Sequence, residues 1–229
     1  MLKKCCNSII NLFYPRICSV CNRVLQQQEQ AICMNCLLEL PRTKYFSTKE
    51  NPVADLFWGK IPFEHASAYF FFKKFNKYAE ILHDIKYYGN KEAAIFLGKM
   101  AGMEMQKQNN LHVDCIIPIP LHPQKQKKRG YNQSELIAQG MALALGCPVF
   151  NDCLIRHTNT STQTKKSKQD RWDNVKDSFS LSHTEKIKHK HVLLVDDVVT
   201  TGATLEACAL QLLKVEGLKV SLVSLAMAR

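Results

Sequence analysis

Two adjacent aspartates at the end of an apolar run constrain the fold of this chain more than any other feature of its sequence. The run Val192–Val195 is typical of a buried strand, and Asp196 and Asp197 follow it directly. A hydroxyl-rich loop comes next, and a helical pattern begins near Thr204. Because two neighbouring carboxylates repel each other, an apolar strand end is a costly place for them. The segment therefore predicts a ligand that uses both acids.

The loop after the acids has the composition of a phosphate site. It consists of Thr200, Thr201, Gly202, Ala203 and Thr204. Its glycine permits a ligand to approach closely, and the N-terminus of the following helix favours an anion. Carboxylates for paired hydroxyls beside a cradle for a phosphate indicate a sugar phosphate such as ribose 5-phosphate, with a divalent cation as a further candidate. The alternative is a plain strand end with a turn-forming aspartate pair and an N-cap threonine.

The rest of the pattern alternates between strands and helices, which predicts an α/β fold with a mostly parallel sheet. Strands are predicted over 63–72, 115–120, 148–155, 192–195 and 218–227. Helices are predicted over 1–14, 76–86, 91–108, 133–145 and 204–214. The basic residues 125–129 are predicted to form a loop. In an open sheet of this kind, ligands bind beyond the carboxyl ends of the strands, where the two aspartates are expected.

Four cysteines form two C-x-x-C pairs near the start of the chain. Cys18 and Cys21 make the first pair and Cys33 and Cys36 the second, with eleven residues between the pairs. Two such turns facing each other complete a tetrahedral thiolate site that suits a structural Zn²⁺. Four buried cysteines, or a redox pair, are the alternatives. The remaining cysteines show no ligand spacing and are expected to be small buried hydrophobic residues: Cys5, Cys6, Cys115, Cys147, Cys153 and Cys208.

The pattern divides the chain into two predicted domains. Residues 1–50 would form an N-terminal helix and a zinc-ribbon-like module, because so short a segment builds little core without a metal. Residues 51–229 would form the α/β domain. A segment over 156–178 is polar, basic and long for a loop in a compact domain, which is typical of a functional lid. A solvated basic loop without a role is the alternative for that segment.

Charge and hydropathy limit the kinds of partner and the cellular compartment that the sequence predicts. The 229 residues include 31 Lys and Arg against 20 Asp and Glu, a net charge of +11 that favours polyanionic partners. No run of 18 apolar residues is present, so no membrane span is expected. Polar residues interrupt the first fourteen positions and no small-residue cleavage site follows them, so a secretory signal is not expected. These features predict a cytoplasmic protein without disulfides.

The segment 192–204 resembles the phosphoribosyl pyrophosphate motif of type I phosphoribosyltransferases. The wider chain is similar to the ComF family of competence proteins, which joins an N-terminal zinc module to a phosphoribosyltransferase domain. The similarity covers the four cysteines after Tyr14-Pro15, the stretch Ile117–His122, the stretch Arg129–Gln133, and Arg156, Thr160, Gln163, Arg171, Asn174 and Phe179. Lys166 departs from the pattern, in which a leucine is expected.

The resemblance implies roles for individual residues. Asp196 and Asp197 would hold the ribose hydroxyls, and Thr200–Thr204 would bind the 5′-phosphate. Since the pyrophosphate leaving group is strongly anionic, Mg²⁺ and basic side chains are expected around it, and a lid is expected to exclude water. Candidates for the pyrophosphate loop and the lid are Lys86, Arg129, Gln133, Arg156, Gln163, Arg171 and Asn174.

Several functions remain open at this point. The first is a protein that binds phosphoribosyl pyrophosphate and handles single-stranded DNA during uptake, together with other DNA-uptake proteins, as the resemblance implies. The second is an active Mg²⁺-dependent phosphoribosyltransferase, and a third is a ligand-sensing regulator. Thr200 stands where many purine phosphoribosyltransferases carry an acid, which makes a purine acceptor less favoured. No motif identifies the catalytic residues or the acceptor.

Overall fold

The architecture comes from a computed structural model, which describes residues 15–73, 76–108, 111–157 and 178–228. The helices are α1 (Met34–Leu38), α2 (Lys77–Tyr87), α3 (Lys91–Gln106), α4 (Pro123–Arg129), α5 (Gln133–Leu145) and α6 (Ala203–Leu212). The strands are β1 (His65–Phe72), β2 (Cys115–Pro118), β3 (Leu154–Arg156), β4 (Phe179–Leu181), β5 (His191–Val199) and β6 (Lys219–Ala228). Short 3₁₀ turns cover Tyr45–Ser47, Ala54–Leu56 and Thr184–Lys186.

Four of the strands form a parallel sheet in the order β1-β6-β5-β2, as the alternating pattern predicts. Because all four run in the same direction, their carboxyl ends meet at one edge. The two aspartates and the loop that follows them therefore lie at the same edge as the segment leading from β2 into α4. The α/β fold class predicted from the sequence is confirmed.

Helices cover both faces of the sheet, since alternate residues of β5 contribute to two different hydrophobic clusters. Leu193 and Val195 pack with apolar side chains of α2, α3 and α5. Val192 and Leu194 pack with apolar side chains of α6. A strand that is buried on both faces needs a continuous apolar run, which is what 192–195 supplies.

Helices α3 and α5 approach each other closely because both carry glycines at their contact. A β-carbon added at Gly98 would lie 2.3 Å from the carbonyl oxygen of Ile137, and one added at Gly140 would lie 2.1 Å from that of Ile95. The close approach fixes where α5 begins. There Asn132 caps α5 by accepting from the Ser134 N–H at 3.1 Å, and it donates to the Ile119 carbonyl at 2.9 Å, next to the end of β2.

Residues 125–129 form part of helix α4, so the loop predicted there is wrong. Pro123 stands in the first turn, where its missing N–H and restricted φ are compatible with a helix. Gly130 ends the helix at a φ of 80°, and Lys127, Lys128 and Arg129 lie in the last turn. Cations at that end interact favourably with the helix dipole, so the basic run stabilises a helix rather than interrupting one.

Two strand predictions need correction. β5 extends through Asp196 and Asp197 to Val199, because β6 is long enough to pair with it as far as Val199 and Met227. The strand predicted over 148–155 is shorter and lies later in the chain: β3 pairs with β4 in a separate antiparallel ribbon. Val149 makes an isolated bridge with Ile116. The predicted helix over 1–14 lies outside the described residues.

The cysteine-rich segment packs against the helices beside the sheet. The Tyr78 hydroxyl of α2 donates to the Cys36 carbonyl at 3.1 Å. The Asn90 side chain, which also caps α3, donates to the Ser19 hydroxyl at 2.7 Å. These two bonds connect each C-x-x-C turn to a helix of the α/β fold. No helix within the described ranges is both long and apolar enough to cross a bilayer.

The contact between α3 and α5 predicts a large effect of a small substitution. Gly140→Ala should lower the free energy of unfolding by about 1–3 kcal/mol, because the new methyl group has no space beside the Ile95 carbonyl. Chemical denaturation measures the change. The matched control, Gln139→Ala at the neighbouring exposed position, should change stability by no more than about 0.5 kcal/mol. A Gly140→Ala protein as stable as the parent contradicts the close packing.

Candidate functional site

The two neighbouring aspartates bind different partners. One oxygen of Asp196 accepts hydrogen bonds from the Ser134 hydroxyl at 3.1 Å and from the Asp197 N–H at 2.9 Å. The Oδ2 atom of Asp197 lies 3.0 Å from the Nζ atom of Lys86. Each carboxylate therefore has its own partner, one on α5 and one at the end of α2.

The ion pair between Lys86 and Asp197 compensates a carboxylate that is almost fully buried. Asp197 is 6% exposed, and its Oδ2 atom has no hydrogen bond of standard geometry within the described residues. The lysine side chain keeps 27% of its accessible surface, so it can move away when another group takes its place. The cation stands where a ligand's hydrogen-bond donors could replace it.

Burial raises the pKa of Asp196 to about 7, and the charge of Asp197 adds to the increase. The hydrogen bonds from the Asp197 N–H and Ser134, and the charge of Lys86, act in the opposite direction. Near neutral pH, the protonated and the ionised forms of Asp196 are therefore both populated. A ligand that donates hydrogen bonds to the carboxylate would displace the proton.

The loop after β5 forms a hollow at the N-terminus of α6. Asp196 and the residues 198–205 line a cavity of about 40 Å³. Gly202 precedes the helix at a φ of 78°, and no side chain caps the helix there. A β-carbon at Gly202 would lie 2.9 Å from the Phe57 ring, so the position needs glycine for conformation and for space. The first N–H groups of α6 face the kind of opening that binds anions.

A larger cavity of about 1010 Å³ lies beside Lys86, the partner of Asp197. Lys86, Val198 and Thr200 line one part of it, and Ser19 and Asn22 of the first C-x-x-C turn line another. The remaining wall comes from Phe72 at the end of β1, from Asn76, and from α2 and the residue just after it. The space between the cysteine-rich segment and the end of the sheet is therefore continuous with the ion pair.

Of the candidates Lys86, Arg129 and Gln133, the last two contact each other, and Arg129 also lies against the residue that follows Lys86. Arg129 donates to the Gln133 side chain, and its guanidinium lies 5.4 Å from the centre of the Tyr87 ring. The Tyr131 hydroxyl donates to the Ile85 carbonyl at 2.5 Å. The segment between α4 and α5 thereby holds the end of α2, where Lys86 is located.

Arg156 lies apart from this group, on strand β3. Its guanidinium lies 5.2 Å from the centre of the Phe179 ring on β4. β3 and β4 flank the segment 158–177, so Arg156 stands at the base of the predicted lid. Gln163, Arg171 and Asn174 fall outside the described residues, as does Thr160.

The four predicted metal ligands converge. Their sulfur atoms all lie within 4.8 Å of one another, and the Sγ atoms of Cys21 and Cys33 are 3.7 Å apart. In the described parts of the chain, no other group of three or more His, Cys, Asp or Glu residues is close enough to share an ion. Four thiolates around Zn²⁺ at about 2.3 Å would be separated by about 3.8 Å, so the donor set fits that metal.

The other cysteines agree with the expectation of small buried residues. Cys115, Cys153 and Cys208 are fully buried and Cys147 is half-buried. Burial raises the pKa of the Cys115 thiol to about 12, so this side chain stays neutral. Cys5 and Cys6 lie outside the described residues.

Sequence reasoning missed two contributors to the site. Ser134 bonds Asp196 from a different element, and nothing in its sequence position pairs it with residue 196. Phe57 closes the back of the loop at Gly202 and lies in a segment without a periodic pattern. Both contacts depend on how α5 and the 3₁₀ turns pack on the sheet, which only the folded chain shows.

Comparison with known proteins identifies the class of this fold. Residues 132–229 match the family model described as the phosphoribosyl transferase domain. The chain therefore has a type I phosphoribosyltransferase fold, with the parallel sheet described above and a cysteine cluster near its N-terminus.

Individual relatives confirm the resemblance to competence proteins. The chain is 42% identical over 93 residues to Competence protein F of Haemophilus influenzae, covering 40% of this chain and 41% of that protein. It is 33% identical over 138 residues to the DNA utilization protein YhgH of Salmonella typhimurium, covering 58% and 60%. With YhgH of Shigella flexneri it is 28% identical over 213 residues, covering 91% and 89%. The match thus spans less than two thirds of the first two relatives. The chain is a homologue of Competence protein F and YhgH.

The raised pKa of Asp196 predicts a pH-dependent cost of folding. The folded protein retains a proton that the unfolded chain releases above about pH 4, so ionised Asp196 destabilises the fold progressively up to about pH 7. Asp196→Asn should remove this cost. Its free energy of unfolding relative to the parent should rise between these two pH values and then level off.

Denaturation curves at several pH values test this difference, with Glu216→Gln at an exposed position as the control. The control should follow the parent at every pH. A difference between Asp196→Asn and the parent that is constant over the range contradicts the raised pKa.

Proposed function

We propose that this chain binds phosphoribosyl pyrophosphate in the cleft at the carboxyl end of β5 and acts in DNA uptake by handling single-stranded DNA. The observation that carries the proposal is the arrangement of two partly neutralised carboxylates beside an uncapped helix N-terminus. Ribose hydroxyls donate to carboxylates, and a phosphate accepts from helix N–H groups. Both requirements are met within one stretch of nine residues, from Asp196 to Thr204.

In this proposal, Asp196 and Asp197 accept hydrogen bonds from the ribose hydroxyls. The N–H groups and hydroxyls of Thr200, Thr201, Gly202, Ala203 and Thr204 bind the 5′-phosphate. Lys86 leaves Asp197 when the sugar enters and turns towards the pyrophosphate, a short movement because its side chain lines the larger cavity. Arg129, which bonds Gln133, lies over Tyr87 and holds the end of α2 for this exchange.

The acidic pair also fits Mg²⁺, since carboxylate oxygens are ligands that this cation prefers. Asp196 and Asp197 would hold it together with oxygens of the substrate. When bound, Mg²⁺ neutralises charge that develops on the pyrophosphate. Arg156 and the segment that includes Gln163, Arg171 and Asn174 are proposed to close over the same group and exclude water.

The DNA role rests on the relatives and on charge. Proteins named Competence protein F and DNA utilization protein YhgH are similar to this chain. The net charge is +11, and the exposed helix α4 carries Lys125, Lys127, Lys128 and Arg129 beside the cleft. Basic side chains that neutralise phosphates bind nucleic acid in a salt-dependent way. Other DNA-uptake proteins are the proposed partners. The proposed compartment is the reducing cytoplasm, where thiolates persist.

An active Mg²⁺-dependent phosphoribosyltransferase is the second candidate, favoured by the complete acid pair and phosphate loop. Transfer breaks the bond between C1′ and the pyrophosphate oxygen and forms a bond from C1′ to the acceptor. Release of pyrophosphate from phosphoribosyl pyrophosphate in the presence of a cell extract, and its loss in Asp196→Asn, would establish turnover. Binding without release assigns the cleft to recognition alone.

Substitution of the acid pair tests the sugar site. Asp196→Asn and Asp197→Asn should each weaken binding of phosphoribosyl pyrophosphate with Mg²⁺ by about tenfold or more, because each removes a hydrogen bond to a charged acceptor. Calorimetric titration measures the affinity. Glu216→Gln, at a surface position that pairs with Lys188, should bind like the parent. Unchanged affinity in both aspartate variants overturns the assignment of the cleft.

The cysteine cluster is proposed to hold one structural Zn²⁺ through Cys18, Cys21, Cys33 and Cys36. Purified protein should contain about one zinc per chain, and Cys33→Ser should lose it together with the order of the N-terminal segment. Metal analysis and limited proteolysis measure the two effects. Cys147→Ser, at a half-buried cysteine outside the cluster, should keep its zinc. A parent protein that is folded and free of metal refutes the site.

A further inference from the structure

Three aromatic rings form an exposed surface at the mouth of the larger cavity. Tyr87 is 67% exposed and Tyr88 is 75% exposed, although Ile85, only two residues before Tyr87, is buried. The His83 ring lies 4.7 Å from the Tyr87 ring and 5.4 Å from the Tyr88 ring, centre to centre. His83, Tyr87 and Tyr88 are called the aromatic shelf below. All three line the cavity that also contains Lys86 and Thr200.

The aromatic shelf is held in place by neighbouring elements. The guanidinium of Arg129 lies over the Tyr87 ring. Tyr131 bonds the Ile85 carbonyl and fixes the last turn of α2 to the start of α5. Gly89, with a φ of 73°, ends the segment directly after Tyr88. Exposed rings that are fixed in position lose little conformational freedom when a flat ligand stacks on them.

The charges around the aromatic shelf favour one kind of ligand. Lys127, Lys128 and Arg129 lie in the last turn of α4, and the Arg129 guanidinium covers Tyr87. Glu80 and Asp84 share the face of α2 that carries His83 and Tyr87 and line the same cavity, so a nucleic-acid backbone is expected on the α4 side of the rings. Aromatic rings that alternate with cations are typical of surfaces on which unpaired bases stack while the backbone follows the basic groups.

We propose that the aromatic shelf stacks an unpaired base of single-stranded DNA, whose phosphates run over the end of α4. The inference rests on the proposed function and adds a location and a mode of recognition to its DNA half. It places the stacked base in the same cavity as the group that pairs with Asp197. DNA and phosphoribosyl pyrophosphate then occupy adjacent parts of one cleft.

The test compares two strands that differ only in their bases. A short oligothymidylate and an abasic deoxyribose-phosphate strand of the same length are titrated against the full chain and against Tyr87→Ala/Tyr88→Ala. The variant should lose about 5- to 150-fold in affinity for oligothymidylate for each base that no longer stacks. Its affinity for the abasic strand should not change. The salt dependence of oligothymidylate binding should also stay the same, because stacking neutralises no phosphate.

Two further variants exclude indirect effects. Tyr87→Phe/Tyr88→Phe keeps the rings and should bind oligothymidylate like the parent. Leu143→Ala removes an equally exposed apolar side chain from α5, away from the aromatic shelf, and should also bind like the parent. Binding of phosphoribosyl pyrophosphate with Mg²⁺ to Tyr88→Ala, which keeps the contact between Arg129 and Tyr87, should be unchanged, which shows that the cleft is intact.

The outcomes separate this inference from the proposed function. If the parent binds neither strand, both the DNA half of the proposed function and the aromatic shelf are overturned. If the parent binds DNA and the alanine variant binds both strands as the parent does, the aromatic shelf alone is overturned. If the alanine variant loses affinity equally for both strands, the rings have a structural role. If free thymidine monophosphate is titrated as well, and the variant loses affinity for it but binds oligothymidylate like the parent, the rings bind a small acceptor. Either result rejects the proposal.

Discussion

The structure depends on how the chain accommodates two neighbouring carboxylates in the last part of a buried strand. Ser134 and the Asp197 N–H bond one carboxylate, and Lys86 pairs with the other. These partners come from α5 and α2, so the electrostatic requirement of β5 determines where both helices meet the sheet edge. A site with charges held in this way is prepared for a ligand that replaces the lysine.

Lys86 also connects the acids to the rest of the cleft. It stands at the end of α2, whose first turn bonds the cysteine-rich segment through Tyr78 and whose last turn carries the aromatic shelf. One helix therefore links the proposed zinc site, the proposed sugar site and the proposed base-stacking surface. The cysteine-rich segment and the carboxyl end of the parallel sheet thus both contribute residues to the larger cavity.

The sequence predicted what depends on local pattern. The parallel sheet followed from the alternation of elements. Helix α5 was predicted with its bounds because glycine is a typical C-cap residue, and Gly146 ends the helix at a φ of 70°. The extent of β5 beyond residue 195 was missed, since it depends on pairing with the distant β6. The helix at 123–129 was missed because a basic run was interpreted as solvated. At the site, the acids, the loop and Lys86 were recognisable by type and order, whereas Ser134 and the aromatic shelf required the packing of α5 and α2.

The central claim is that the carboxylates and the start of α6 hold opposite ends of one pentose phosphate. A crystal structure of the full chain with phosphoribosyl pyrophosphate and Mg²⁺ tests it most directly. The account predicts ribose hydroxyls on Asp196 and Asp197, a phosphate against the N–H groups of residues 202–205, and Lys86 displaced from Asp197. A bound phosphate elsewhere, with the pair between Lys86 and Asp197 still closed, would contradict it.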